Sequence, residues 1–398
     1  MSNIKQLKHL EHLEDEMLNY GTEGCEAAVS FLKELRKMLG HQESSGFMQT
    51  KWDGAPSVVC GTDPMSGVFF VGTKSVFNKT EPKMCATEDA VDNYYQGDLA
   101  EKLKFSLRYF SKLGIEGVVQ GDLLFTDSTL NSETINGERL YTFRPNTITY
   151  AIPVDHELGK AAKRAKIGVV FHTHYKGESL PTMQAMAGAN VTGSVEALVI
   201  KNDTPMDKVG FNTAELRKFD NHVTKIERMC KLAGPFLDDL VSNFGTTGDA
   251  KFHISSFIKQ FFNSEIKNAR RISNIDETIN ELVNFYHAKM SKELAKIKTP
   301  SNLVKKRNLV YQSENYLLDN VYKFKTMIAL YKEMQDIKQM VIDKLDHLET
   351  FRTFVQTDNG YKVTSPEGYV MHKDGSMIKF VNRLEFAYNN FTIQKQWR

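Results

Sequence analysis

Between about residue 212 and residue 350 this 398-residue chain carries almost no strand signal, yet strand signal is dense on both sides of that stretch. Long amphipathic runs such as 314–348 fill the middle, with apolar residues at three- and four-residue steps. Ahead of them, from 46 to 203, FMQTKWD, SVVCGT, GVFFVGTKS, GVVQGDLLF, NTITYAIP, KIGVVFHTHY and SVEALVIKN read as strands bounded by Gly, Pro, Asn and Asp. Behind them FVQTDNGYKV, GYVMH and SMIKFVN restore the strand pattern. The pattern predicts one α+β domain whose sheet is interrupted by an all-helical insertion and closed by the last strands.

The start of the chain reads differently. Leu7, Leu10, Leu13 and Met17 within 4–19, then Val29, Leu32, Leu35 and Leu39 before Gly40, predict an N-terminal helical hairpin. The expected division is therefore 1–45 helical hairpin, 46–205 first part of the core, 206–350 helical insertion and 351–398 closing strands. A hydrophobic content of 41% with 25% charged residues fits a soluble globular protein. Its length suggests two or three domains. The net charge of +2 means that any preference for an acidic partner must come from local patches. Cys25, Cys60, Cys85 and Cys230 lie far apart with no CxxC pair, which argues against a zinc site or a disulfide framework and fits a reducing cytosol. No apolar run approaches the roughly 18 residues that would span a bilayer, and no signal-peptide core precedes the first elements. A cytoplasmic protein with no membrane partner is expected.

Chemistry-bearing residues recur at predicted strand ends. Lys51-Trp52-Asp53-Gly54 sets a lysine just ahead of an Asp-Gly turn and a β-branched run. GVFFVGTKS ends in Lys74, and Gln120-Gly121-Asp122-Leu123 delivers an acid after a glycine. KIGVVFHTHY presents Phe171, with His172 and His174 alternating beyond it. Glu367-Gly368-Tyr369-Val370 opens a strand, and Met377-Ile378-Lys379 brings a lysine twelve positions after the glutamate. Each could be scaffold: an exposed turn lysine, a strand-edge lysine, a core aromatic. Five in order, each where a pocket could form, point to a site.

This order resembles the covalent nucleotidyltransferase superfamily of ATP-dependent RNA and DNA ligases and mRNA capping enzymes, and in outline the phage RNA ligase-like proteins. The resemblance covers about 46–203 and 354–390. It implies an antiparallel-sheet ligase core (ATP-grasp-like), with Lys51 as the nucleophile that attacks ATP and becomes lysyl-AMP. It implies that Glu367 and Lys379 are catalytic, and that Glu367 holds Mg²⁺ or Mn²⁺ through its water shell. Asp53, Gly54, Lys74, Asp122, Phe171 and Arg383 would complete the ATP site, with Asp122 on the ribose and Phe171 stacked on the base. A lysine amine at the reference pKa near 10.4 is protonated and inert, so the chemistry implied here needs nearby cations that favour the neutral form.

The pattern also departs from that family. Ser57 stands where an arginine is common, Asp122 is one methylene shorter than the usual glutamate, and Val381 replaces a second lysine, leaving Arg383 as its substitute. Nineteen residues after Lys379 leave no room for an OB-fold, which moves the expectation towards RNA ligases. A rival carboxylate–lysine pair exists in Glu196 and Lys208, but Ala197 stands in place of glycine and PMDKVG is a poor strand. Between Lys251 and Arg307 there are 12 Lys/Arg against 5 Asp/Glu. Lys298, Lys305, Lys306 and Arg307 in this stretch are candidates for a nucleic-acid backbone track, the alternative being a solvated helix face. The overall expectation is a monomeric polynucleotide ligase acting on RNA ahead of DNA. Its alternatives are a nucleotidyltransferase with another acceptor and a non-catalytic nucleic-acid-binding module.

Overall fold

Residues at opposite ends of the chain meet in one sheet. The computed structural model describes residues 11–244, 248–348, 351–357 and 360–386. In it, strand Phe47–Lys51 pairs antiparallel with Gly368–Lys373, which pairs antiparallel with Ser376–Phe380. The two-residue strand Glu11–His12 adds parallel to the far edge, setting His12 opposite Lys379. A second sheet runs in the order 184–187, 167–176, 118–126, 57–62 and 69–72, and Ala197–Val199 pairs parallel to the start of 167–176. A third comprises 360–363, 352–357, 149–153, 138–143 and 131–135. Apart from the two parallel pairs, every ladder among the described residues is antiparallel, so the protein is α+β with antiparallel sheets.

Strand alternation decides which face of the first sheet does what. Met48, Tyr369, Met371, Ile378 and Phe380 enter the core of a helical layer. The residues between them, Phe47, Gln49, Lys51, His372 and Lys379, are thereby on the opposite face. The helical layer comprises Glu16–Leu39, Thr213–Ser242, Ser255–Lys267, Ile275–Ala295, Pro300–Asp319 and Val321–Leu345. Phe219, Ile226, Leu237, Phe261, Phe262, Tyr331 and Ile337 from these helices share one core with the first sheet. The segment read as an insertion thus backs the strand that carries Lys51. Among the described residues no helix is long and apolar enough to cross a membrane.

The expected N-terminal hairpin is corrected. Its portion before Glu11 lies outside the described residues. Glu11–His12 is strand, Leu13–Asp15 a 3-10 turn, and Glu16–Leu39 one helix kinked at Gly21. Gly21 takes φ 58°, and a Cβ there would lie 2.2 Å from an Asp238 carboxylate oxygen. Only glycine fits that approach. Thr22 then donates from both its amide and its hydroxyl to Asp238, at 2.7 Å each. The Leu13/Met17 periodicity is a true core signal, since both are fully buried, but it does not report a continuous helix.

Glu14 and Asp15, in the short turn, explain why the segment is held so firmly. Glu14 is fully buried and accepts two hydrogen bonds from Lys338 Nζ, at 2.6 and 2.7 Å. Arg383 Nη1 donates to Asp15 at 3.0 Å, and Tyr331 donates to the same oxygen at 3.2 Å. Burial pushes the Glu14 carboxyl up, but Lys338 and Arg383 outweigh it and hold Glu14 below the ordinary range. The cluster ties the first turn, helix Val321–Leu345 and the segment after Phe380 together. Lys338→Met should therefore destabilise the fold by about 3–5 kcal/mol, since it leaves Glu14 buried beside a weaker partner. Pairing it with Glu14→Gln should recover a large part of that loss. Urea unfolding midpoints of the single and double variants measure both effects.

Candidate active site

The Lys51-Trp52-Asp53-Gly54 segment is not an exposed turn. Lys51 ends its strand directly opposite Gly368. Trp52 is buried between Tyr150 and Phe351, with ring centroids 4.8 and 4.7 Å away. Asp53 is buried too, and its carboxylate accepts from Asn146 Nδ2 at 2.7 Å and from the amides of Thr147 and Ile148 at 2.7 and 2.9 Å. Its own amide donates to Tyr150 Oη at 2.8 Å. These bonds clamp the segment onto the start of strand Thr149–Pro153. Asp53, expected among the ATP ligands, is therefore a positioning group whose oxygens are committed to the fold. Gly54 is there for proximity: a Cβ would sit 2.5 Å from Asp122 Cβ. The Ala55 amide then donates to Leu123 O at 2.9 Å, and the Leu123 amide to Pro56 O at 3.0 Å. The clamp brings the Lys51 strand end against the strand that bears Asp122.

Lys51 Nζ donates to Glu367 Oε1 in a close ion pair. Glu367 precedes Gly368, so the register that places Lys51 also places its partner. Burial pushes the Glu367 carboxyl up to about 7, opposed by Lys51 and reinforced by the negative charges of Asp53 and Asp122. Lys379, on the neighbouring strand, is shifted down, first by burial and then by the positive charge of Lys51. Beside Lys379, His12 is held neutral by burial and by Lys338, Arg383, Lys379 and Lys51, and its Nδ1 has no partner. Lys51, Glu367 and Lys379 are thus assembled, with Asp122 close enough to act on Glu367. The rival pair is not assembled. Glu196 bonds Lys112 at 3.2 Å on the outside of the second sheet, and Lys208 is exposed in a 3-10 turn.

Four other expected residues are placed elsewhere or used otherwise. Phe171 is 2% exposed and packs edge-on against Phe110, on the helix-covered side of the second sheet. It has no face to offer a base, and this expectation is corrected. Its neighbour His172, one residue on and across a bulge in the Gln120–Gly121 ladder, sits 3.5 Å from Asp122 Oδ2 and bonds Thr173 Oγ1 at 2.8 Å. Arg383 is corrected as well: its guanidinium is spent on Asp15, Glu14, Tyr331 and, at 2.5 Å, Asn263. Lys74 lies beyond the end of its strand, opening a 3-10 turn, and is exposed. Of the basic cluster, Lys306 turns inward to pair with Asp249 and lie over the Phe252 ring, whereas Lys298, Lys305 and Arg307 are exposed.

His372 belongs to none of the sequence motifs. It is 4% exposed, stacked on Phe47 with ring centroids 4.5 Å apart, and neither ring nitrogen has a partner. Burial, and then the nearby His172, push it down to about 4. Its period-two position on the Lys379 face was the available signal. Ser57, the departure from the arginine pattern, accepts from Gln120 Nε2 at 2.9 Å, and Gln120 in turn accepts from Tyr175 Oη at 2.5 Å. That trio satisfies the floor of the second sheet beside Asp122. Among the described residues no three His, Cys, Asp or Glu side chains converge to form a metal cage. Glu367 and Asp122 suit an ion that keeps most of its own water, as Mg²⁺ prefers.

The model of the family described as "Family of unknown function (DUF6267)" matches residues 3–395. No curated protein and no solved structure matches the chain.

Glu367 makes the site's pH behaviour testable. Folding lifts its carboxyl from 4.5 to about 7, so between those values the folded protein keeps a proton that the unfolded chain has released. Its contribution against folding is absent below about 4.5 and complete above about 7. Stability should therefore fall as pH rises through that window, and Glu367→Gln should flatten the fall. Urea midpoints from pH 4.5 to pH 8 test this; parallel curves for both proteins would refute it.

Proposed function

The chain belongs to the DUF6267 family, and from its Lys51 site we propose that it is an ATP-dependent polynucleotide ligase, with RNA favoured as substrate. The observation that carries this reading is the placement of Lys51. A lysine at a strand end contacts a buried carboxylate of raised pKa, with a second lysine of lowered pKa two strands away in the same sheet. A surface salt bridge needs none of these features. An amine that must lose its proton before attacking is served by a buried carboxylate that can take the proton and by a nearby positive charge.

Glu367 takes a proton from the Lys51 ammonium. The freed amine attacks the α-phosphorus of ATP, the N–P bond forms, and the bond to the β-phosphate oxygen breaks, so that pyrophosphate leaves with the electron pair. Lys379 opposes the charge that builds on the phosphoryl oxygens. A divalent cation, when bound near Glu367 and Asp122, would add positive charge there. Asp122, paired with His172, accepts from the ribose hydroxyls. AMP then passes from Lys51 to a strand's 5′-phosphate, and a 3′-hydroxyl displaces it to seal the strand. The RNA preference rests on the resemblance to RNA ligases.

Incubation with α-labelled ATP and Mg²⁺, followed by a denaturing gel, tests the first step. Label should stay on the protein and vanish in Lys51→Ala. Lys51→Arg should fail as well, because a guanidinium stays protonated. Glu367→Ala and Lys379→Ala should each lose at least about two orders of magnitude in rate, an effect typical of general acid–base and charge-stabilising groups. Glu196→Ala should keep most of the activity. Folded protein that takes no label under several metals and nucleotides would overturn the enzymatic reading.

The labelling rate should also climb with pH and level off above about 7, as Glu367 gives up its proton. In Glu367→Gln, any residual rate should lose that inflection. An inflection unchanged in the variant would assign proton removal to another group.

A further inference from the structure

Helix Pro300–Asp319 faces the wrong way for an ordinary surface helix. Its inner side is closed by Val310, Ser313 and Leu317, and the Ser313 hydroxyl accepts from the Ile254 amide at 2.7 Å. Its outer side carries Val304, Tyr311 and Leu318, each more than half exposed, at steps of seven residues. Seven residues are close to two turns, so the three form one outward stripe, about 21 Å from first to last. Tyr322, at the start of the next helix, is 77% exposed beyond the end of the stripe. A large apolar residue on the surface is unremarkable alone, but an aligned row marks a contact.

The charges beside the stripe choose the occupant. Arg307 lies between Val304 and Tyr311 on the same face, Lys305 lies alongside, and Lys298 sits in the preceding turn; all three are exposed. From Lys298 to Gln312 the chain has no acid at all. Lys306, the one cation of the cluster committed elsewhere, is turned inward to Asp249. A second copy docked helix to helix would bring to those cations the one exposed acid of this helix, Asp319, since Glu314 is half-buried beside His287. A polyanion answers them all. A tyrosine ring next to exposed cations is also what a single strand requires, with phosphates on the cations and an unpaired base on the ring. A duplex keeps its bases stacked inside and could use only the cations.

We propose that the outward face of helix Pro300–Asp319 binds single-stranded nucleic acid, with a base stacked on Tyr311 and the backbone held by Lys305 and Arg307. This deepens the ligase reading and rests on it only in taking the substrate to be nucleic acid. It makes the substrate a free strand end in preference to a nick in a duplex.

Fluorescence anisotropy of the full chain with a labelled 12-nucleotide oligouridine, and with the same strand in a duplex, tests the proposal. The single strand should bind at least tenfold more tightly. Tyr311→Ala should weaken it by roughly 5- to 150-fold, the range for loss of one stacked base. Tyr311→Trp should preserve binding, whereas Tyr311→Leu should not, because an aliphatic side chain has no flat face. Lys305→Gln with Arg307→Gln should make the slope of log affinity against log salt shallower, by roughly 0.7 for each phosphate that is no longer neutralised. Equal affinity for duplex and single strand, or a Tyr311→Leu variant that binds normally, would overturn the proposal. Light scattering that shows a dimer broken by Leu318→Glu would overturn it in favour of a second copy.

ATP self-labelling, measured on the same variants, separates this proposal from the ligase reading. Tyr311→Ala should label at the wild-type rate while binding RNA weakly. A wild-type protein that binds RNA through Tyr311 yet never labels would refute the ligase and leave the binding surface standing.

Discussion

The pairing of Phe47–Lys51 with Gly368–Lys373 is the interaction on which the site depends. It joins segments more than 300 residues apart in sequence, and its register alone sets Lys51 opposite Gly368. A slip of one residue would turn Lys51 towards the helical core and bring Met48 to the polar face. Several independent features resist such a slip. Met48, Tyr369 and Met371 are anchored in the helical core behind the sheet. Asp53 and Trp52 pin the chain immediately after Lys51 to strand Thr149–Pro153 and its approach. Gly54 permits the close approach to Asp122 that no other residue allows.

That arrangement gives the Lys51–Glu367 pair its chemical character. On an exposed surface such a pair contributes little and perturbs neither partner. Here Glu367 is removed from water, and burial outweighs the help from Lys51, so the carboxyl rises to about 7. The same burial, together with the charge on Lys51, lowers Lys379 on the next strand. The helical layer belongs to the same cause, because it supplies the dry core behind the sheet. It also supplies Lys338 and Tyr331, which hold the turn after His12 and the segment following Phe380. The charges of Lys338, Arg383, Lys379 and Lys51 all bear on His12.

The residues misread from sequence share a cause. Phe171 and His172 are adjacent, and nothing in a one-dimensional pattern states which of two neighbours faces the site once a bulge shifts the ladder. The structure turns Phe171 to Phe110 and His172 to Asp122. Arg383 looked like a spare cation because its partners, Glu14, Asp15 and Tyr331, are some 50 to 370 residues away. Lys306 and Lys305 are consecutive, yet a helix separates neighbours by about 100°, which sends one to Asp249 and the other to solvent. The Leu13/Met17 spacing reported burial correctly and a continuous helix incorrectly, because buried carboxylates and Gly21 impose a turn and a kink there.

By itself the sequence determined what depends on local order. The helical middle and the flanking strands follow from periodicity, and the Asp-Gly turn after Lys51 follows from residue type. That Glu367 and Lys379, rather than Glu196 and Lys208, lie beside Lys51 was also within reach, because a glycine and an unbroken strand are local facts. Only the tertiary structure decided which groups are spent and which are available. Asp53 and Arg383 carry the charge that a site would want, but long-range hydrogen bonds consume both. Burial, which sets the acidity of Glu367 and the exposure of Tyr311, is a property of the packed chain, and no run of residues encodes it locally.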